Sequence, residues 1–513
     1  MLMTPERPSP LKFDVRSLLG ATAVFLLHTM SVACAQTSAV TPDSAAEVPL
    51  LPQPTTLSAS GVFGGQTIEY DASLSPLSIQ MDEEGKGAEI WSWSYVATGD
   101  DISDNRPVIF AFNGGPIAAS IWLHIGALGP YRVQVPEDLS APVSEFELVP
   151  NAYAPLDVAD IVFFDPATTG FSTVAEEVDP QSYYTVEDDA EQLVRFIQAW
   201  LKANDRVGSP VFLLGESYGT IRAAVAAGQL AVEAPSYNAT GVFLMGQAVN
   251  MVEYSQRREN IISYVVSLPT LASTAWELGK IDQTDRDFES FMADVEAFGG
   301  TGYLLALYQG NRVSEDVKAS VAAKLADLTG ISEEYYLENN LRITKEAFRR
   351  ELLKDEGKIL GRSDARYVGA IGEDGRAPDP SGILSSGYAD AFGTYIENAF
   401  GLEIDERYKQ IARTGGWYYG PPSPFTHFAF GTELELAFDA NPDFRLFIGN
   451  GYQDTMTTVG AAEYAIMQSN WPIERVRTNY YRGGHMAYSV EESAAQFGKD
   501  VRLWVRGWQS DSE

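Results

Sequence analysis

Leu213-Leu214-Gly215-Glu216-Ser217-Tyr218-Gly219 sets a serine in the pattern Gly-x-Ser-x-Gly, between an apolar strand-like run and an alanine-rich helical stretch, Ile221 to Leu230. A sharp strand-to-helix turn of this kind lifts the hydroxyl above a sheet, and its two glycines admit close backbone approach. The bare string also fits a turn with a capping serine, but the flanking strand and helix favour a nucleophile. A serine at neutral pH needs a base to accept its proton. Only His427 and His485 follow Ser217 in the chain. His485 lies in Arg482-Gly483-Gly484-His485-Met486, between the strand-like Val476 to Tyr481 and a final helix, where two glycines give its ring room. His427, among aromatic neighbours in Pro424-Phe425-Thr426-His427-Phe428, reads as a structural histidine. His124 likewise reads as a packing residue.

A base of this type is held in the right tautomer by a carboxylate. Phe444 to Ile448 is a buried-strand run, and Gly449-Asn450-Gly451-Tyr452-Gln453-Asp454 follows it. Asp454 therefore stands just past a strand end, whereas Asp443 opens the same strand at its far end. A turn aspartate bonding its own backbone is the alternative for Asp454. The oxyanion of such a reaction needs backbone donors. Phe112-Asn113-Gly114-Gly115-Pro116 follows an early strand, and the N–H groups of Gly115 and Tyr218 form the natural pair.

The elements that would position these groups alternate along the chain. Val108–Phe112, Ile161–Phe164, Val211–Leu214 and Val242–Met245 are continuous apolar runs of buried-strand length. Ala88 to Tyr95 alternates roughly, as a strand with one buried face does. Leu193, Ile197, Trp200 and Leu201 share a helical face, as do Ala494, Phe497, Val501 and Trp504. Strand runs alternating with amphipathic helices predict an α/β fold with a mainly parallel central sheet flanked by helices. From 251 to 415 the buried runs give way to charged helical stretches, Thr284–Phe298, Ser314–Leu328 and Ile343–Lys358, which predict a helical cap insertion. The expected organisation is a core over 59–250, the cap over 251–415 and the rest of the core over 416–513.

The N-terminus reads as an export signal over residues 1–35: Arg7, Lys12 and Arg16 precede an apolar stretch that ends in Ala33-Cys34-Ala35. Lipid attachment at Cys34 is a minor alternative. Residues 36–58, rich in Ser, Thr, Pro and Ala, read as a disordered leader. The expected mature protein is secreted or periplasmic, with no membrane span. The 513 residues carry 36 Lys and Arg against 70 Asp and Glu, a net charge of -34, which argues against nucleic acid as a partner. A single cysteine excludes a disulfide framework, and four histidines leave little for a metal site. No metal and no cofactor enter the expected chemistry.

Phe112-Asn-Gly-Gly-Pro116, Gly126-Ala-Leu-Gly-Pro130, Phe164 to Ser172, Gly215-Glu-Ser-Tyr-Gly219, Gly451-Tyr-Gln-Asp454 and Gly484-His-Met486, taken in order, resemble the serine carboxypeptidase family, its bacterial branch in particular. The resemblance covers about 60–250 and 416–508, and no string in 251–415 matches it. It implies an α/β-hydrolase fold and an enzyme that removes C-terminal residues from peptides through an acyl-enzyme, most active in acid. Carried onto this chain, it implies a triad of Ser217, Asp454 and His485 and an oxyanion hole at Gly115 and Tyr218. It also implies that Asn113, Gly114 and Glu216 bind the substrate's terminal carboxylate. Two carboxyl groups share a hydrogen bond only when one is protonated, which favours this complex at low pH. The chain departs from the eukaryotic pattern at Ala111, where a tryptophan is usual, and at Ala127, where a second glutamate is. An esterase or acyltransferase could use the same triad, and an inactive hydrolase-fold binding protein is the reading from a different class.

Overall fold

The computed structural model describes residues 52–509, apart from 83–84, 101, 104, 254–255, 373–374, 413–414 and 421–429. The export signal, Cys34 and His427 lie outside the described residues, as does most of the expected leader.

The strands in chain order are β1 (Thr55–Phe63), β2 (Gln66–Gln80), β3 (Gly87–Thr98), β4 (Val108–Phe112), β5 (Tyr131–Gln134), β6 (Glu147–Pro150) and β7 (Asp160–Phe164). They continue with β8 (Thr173–Val174), β9 (Val211–Glu216), β10 (Ala239–Met245), β11 (Lys358–Leu360), β12 (Val368–Ala370), β13 (Arg445–Gly451) and β14 (Val476–Tyr481). Ten of them form one sheet in the order β1-β2-β3-β7-β4-β9-β10-β13-β14, with β8 paired to β3. From β7 to β14 every neighbouring pair is parallel, while β1, β2 and β3 join antiparallel at one edge.

The apolar runs become the middle of this sheet because both of its faces are covered. Successive side chains of a strand point to opposite faces. Val108, Phe110 and Phe112 accordingly join one buried cluster, with the helices Val186–Ala203 and Tyr218–Glu233. Ile109 and Ala111 join another, with the helix Glu491–Val505. Phe212, Leu213, Phe243 and Leu244 divide between the faces in the same way. Each fully buried side chain of this size contributes about 1.5–3 kcal/mol of transfer free energy. Thr185 caps the helix Val186–Ala203 by accepting from the Asp188 N–H, and three acidic residues in the first turn favour its positive end.

The segment between β10 and β13 builds its own apolar cluster from Tyr264, Leu271, Phe291, Val295, Leu325, Tyr336 and Phe348 among others. It is not purely helical, since β11 and β12 pair antiparallel within it. The helix expected over Ile343–Lys358 runs only from Lys345 to Glu351, and Gly357, at φ +68°, turns the chain into β11. The helix Gly382–Phe400 packs through Leu384, Tyr388, Phe392 and Ile396 onto the second sheet face rather than onto the segment's own cluster.

The expected leader is shorter than its composition suggests. β1 starts at Thr55 and pairs with β2 through the two-residue turn Gly64-Gly65, with φ of +54° and +80°. That turn needs positive φ at both positions, which glycine supplies at little cost.

Candidate active site

β9 ends at Glu216, Ser217 turns with φ 60° and ψ -128°, and the helix Tyr218–Glu233 begins at the next residue. A non-glycine residue in this region costs about 1–3 kcal/mol and persists only where its surroundings fix it. Here the surroundings are backbone. A side chain at Gly215 would collide with the Gly219 carbonyl oxygen, and the Ser217 N–H donates to the Met245 carbonyl at 2.9 Å. Gly114 closes the turn from the other side: a Cβ there would lie 2.5 Å from the Tyr218 nitrogen. Gly115 follows at φ +108°, so the glycine loop after β4 runs directly over the start of the helix that Tyr218 opens.

Behind this loop lies a buried ion pair that sequence reasoning missed. Arg222 and Asp189 are both inaccessible to solvent and meet at 2.7 Å. Arg222 also donates to the Asn113 carbonyl at 2.9 Å, and its guanidinium lies over the rings of Phe112, Phe164 and Tyr218. The pair ties both helices on that face to the glycine loop. In the sequence, Arg222 shows only as a single charge in an alanine-rich helix.

Asp454 and His485 meet on loops that follow β13 and β14. The His485 Nδ1–H donates to Asp454 Oδ2 at 2.6 Å, which leaves Nε2 as the acceptor of the neutral ring. Asp454 is fully buried. It also accepts from the Thr457 hydroxyl at 2.6 Å and from the N–H groups of Met456 and Thr457 at 2.7 and 3.2 Å. His485 Nε2 is buried and has no hydrogen-bond partner among the described residues. The ring sits against the backbone next to the serine turn: a Cβ on Gly246 would lie 3.2 Å from its Cε1 and Nδ1. Burial alone would lower the pKa of His485, but the charge and hydrogen bond of Asp454, with the charge of Glu216, outweigh it and raise the ring to about 9.

Glu216 points into the same place. Its Oε1 accepts from Asn113 Nδ2 at 3.0 Å and its Oε2 from the Tyr488 hydroxyl at 2.7 Å. The Leu123 N–H donates to Asn113 Oδ1 at 3.0 Å, which fixes the orientation of that amide. Burial pushes the Glu216 carboxyl up to about 7, against the lowering effects of His485, Tyr488 and Asn113. Tyr488, on the short turn Ala487–Ser489, is a second residue that sequence reasoning missed.

The insertion reaches this site through side chains, such as Ser273 to the Tyr452 carbonyl and Lys345 to the Met456 carbonyl, and through backbone. The His485 N–H donates to the Ser363 carbonyl at 2.6 Å, and the Thr455 hydroxyl donates to the Arg362 carbonyl at 2.7 Å. The Ala365 N–H donates to the Gln453 carbonyl at 3.0 Å. One turn, Arg362 to Ala365, thus holds both loops.

The profile of the serine carboxypeptidase family matches residues 79–335. The chain belongs to the serine carboxypeptidase family. The enzyme is thereby a serine-type carboxypeptidase, a hydrolase of peptides. The matched span of this carboxypeptidase includes Asn113, Gly114, Gly115, Glu216, Ser217 and Tyr218. It also runs well into the 251–415 segment, where no matching string was expected. Among solved structures it is similar to the prohormone-processing carboxypeptidase Kex1 of Saccharomyces cerevisiae, at 14% identity over 85% of this chain and 91% of that one, with a TM-score of 0.46. It is also similar to a thermostable carboxyl esterase of Bacillus coagulans, at 13% identity over 85% and 98% with a TM-score of 0.37. A proline iminopeptidase of Mycobacterium smegmatis is similar at 13% identity over 84% and 98%, with a TM-score of 0.35.

Two further polar groups, His124 and Asp165, are buried and held by their neighbours. His124 stacks on Phe163 at 4.1 Å and bonds the Tyr95 hydroxyl through Nε2 at 2.6 Å, and burial lowers its pKa to about 3. Asp165 holds the Ser120 N–H at 2.7 Å and the Tyr408 hydroxyl at 3.0 Å. Among the described residues no cluster of His, Cys, Asp and Glu could hold a metal ion, and no helix is long and apolar enough to cross a membrane.

Proposed function

We propose that this carboxypeptidase removes C-terminal residues from peptides with Ser217 as nucleophile, His485 as general base and Asp454 as the carboxylate that orients it. Ser217 Oγ attacks the last peptide carbonyl while His485 Nε2 takes its proton. The N–H groups of Gly115 and Tyr218 hold the oxyanion, and His485 returns the proton to the leaving amine. Water then hydrolyses the acyl-enzyme by the same exchange. Asn113, Gly114 and Glu216 receive the terminal carboxylate. Residues 1–35 direct export and are removed, so the working enzyme is secreted or periplasmic. The core runs from β1 at Thr55 to 250 and over 416–513, and 251–415 forms a cap over it.

The observation that carries this reading is the Asn113–Glu216 hydrogen bond, one residue from Ser217 and buried. An esterase has no need of a buried acid beside its nucleophile, whereas a free C-terminus needs a partner that can donate to it. Below about pH 7 Glu216 is protonated and donates, and above it the carboxylate repels the substrate's own. His485 works in the opposite sense, since only its neutral form accepts a proton. The productive form carries a proton on Glu216 and none on His485. Protonating Glu216 removes one of the charges that raise His485, so the ring titrates lower in that form and kcat/KM is bell-shaped against pH.

The test uses one peptide as free acid, amide and ester. The free acid should be cleaved at least tenfold faster than the amide below pH 7, and the preference should fade as pH rises through 7. Equal rates on acid and amide would favour a broader hydrolase. Glu216→Gln should remove the pH dependence of KM. It should also move the acid limb of kcat to lower pH, because one of the charges that raise His485 is gone.

A further inference from the structure

Tyr488 is buried, three residues past His485, and reaches across to the nucleophile's strand to donate to Glu216 Oε2 at 2.7 Å. Its ring occupies room that only glycine leaves, since a Cβ on Gly126 would collide with its Cε2. Tyr388 packs against the same glycine and meets Tyr488 edge-on, with ring centroids 6.1 Å apart. Tyr488 is thus wedged by two neighbours with its hydroxyl aimed at one carboxyl oxygen, while Asn113 holds the other.

We infer that Tyr488 is a positioning residue that sets the upper pH limit of terminal-carboxylate recognition, by holding Glu216 from the loop that carries His485. The inference rests on the proposed role of Glu216. A phenol that donates to a carboxyl group favours the anion over the acid. The charged and titratable groups facing Glu216 are His485, which favours its ionisation, Asp454, which opposes it, and the neutral phenols of Tyr488 and Tyr388, with Asn113 as a neutral amide donor. Tyr488 and Asn113 bond the carboxyl directly, and of the two only Tyr488 comes from the loop that carries His485. Without its hydroxyl, burial acts on Glu216 less opposed, and the acid form persists to higher pH. A tyrosine that only filled space would do none of this, because phenylalanine fills the same space.

The experiment measures KM for a free-acid peptide against pH in the wild type, Tyr488→Phe and Glu216→Gln. The pH at which KM starts to rise should move up by about one unit in Tyr488→Phe, the scale of losing one hydrogen bond to a charged group. An unmoved or lowered break in a folded Tyr488→Phe overturns the inference. No break in the wild type, with Glu216→Gln indistinguishable from it, would instead overturn the role of Glu216. If Tyr488→Phe does not fold, a ring-fluorinated tyrosine placed at 488 keeps the shape and makes the hydroxyl a stronger donor. It should move the break down, and an unmoved break there overturns the inference equally.

Discussion

Ser217 and Glu216 sit at the end of β9, which has β4 on one side and β10 on the other, while Asp454 and His485 sit on loops after β13 and β14 at the far edge of the sheet. The first pair is fixed from within the core: parallel neighbours flank its strand, two glycines lock its turn, and the Arg222–Asp189 pair holds the loop above it. The second pair has less of this: Asp454 follows β13, which parallel strands flank, but His485 follows β14, an edge strand with one neighbour. Its loops are held by the turn Arg362–Ala365, from a segment packed around a separate apolar cluster. The turn after β9 is fixed by the backbone packed directly around it, and the loops after β13 and β14 take a brace from the insertion as well.

Three substitutions probe that contrast, in falling order of effect. Ser217→Ala removes the proposed nucleophile, which should lower kcat by about 10⁶-fold and abolish labelling by a fluorophosphonate, with little change in Tm. Labelling that persisted would place the nucleophile elsewhere. Arg222→Leu leaves Asp189 buried without its partner and should cost about 3–5 kcal/mol, read as a fall in Tm of about 3–5 °C. A variant as stable as the wild type would mean that the nucleophile's half does not depend on its buried pair. Thr455→Val breaks one link between the acid loop and the insertion. It should cost about 1 kcal/mol in stability and lower kcat several-fold, with KM for the same peptide unchanged. An unaltered kcat would show that the brace does not set the register of Asp454.

Much of the sheet and of the candidate site was legible because the signals are local. Val108–Phe112 and Val476–Tyr481 have the same bounds in sequence and in structure, as strands buried on both faces or feeding a loop should. The serine turn, Asn113 and the strand-end positions of Asp454 and His485 follow from neighbours within a few residues. What was missed depends on partners far along the chain. Tyr488 acts on a group 272 positions earlier, and its own surroundings, Ala487-Tyr488-Ser489, carry no motif. Ser363 works through its carbonyl, which every residue has. β1 is rich in Ser and Thr and mostly exposed on both faces, so its composition matches a leader, and only its pairing with β2 makes it a strand. The shortened helix after Thr344 has a local cause, Gly357 at positive φ, that helical spacing alone does not register.

The order of these elements along the chain has a consequence for how activity begins. Synthesis runs from the serine turn through the bracing turn and only then to β13 and β14. A ribosome-bound chain therefore holds the proposed nucleophile, Ser217, and the bracing turn well before it has Asp454 or His485 to set against them. On the proposed roles, proteolytic competence waits until β13, β14 and the loops after them have been made, and the order of the elements itself acts as a safety catch.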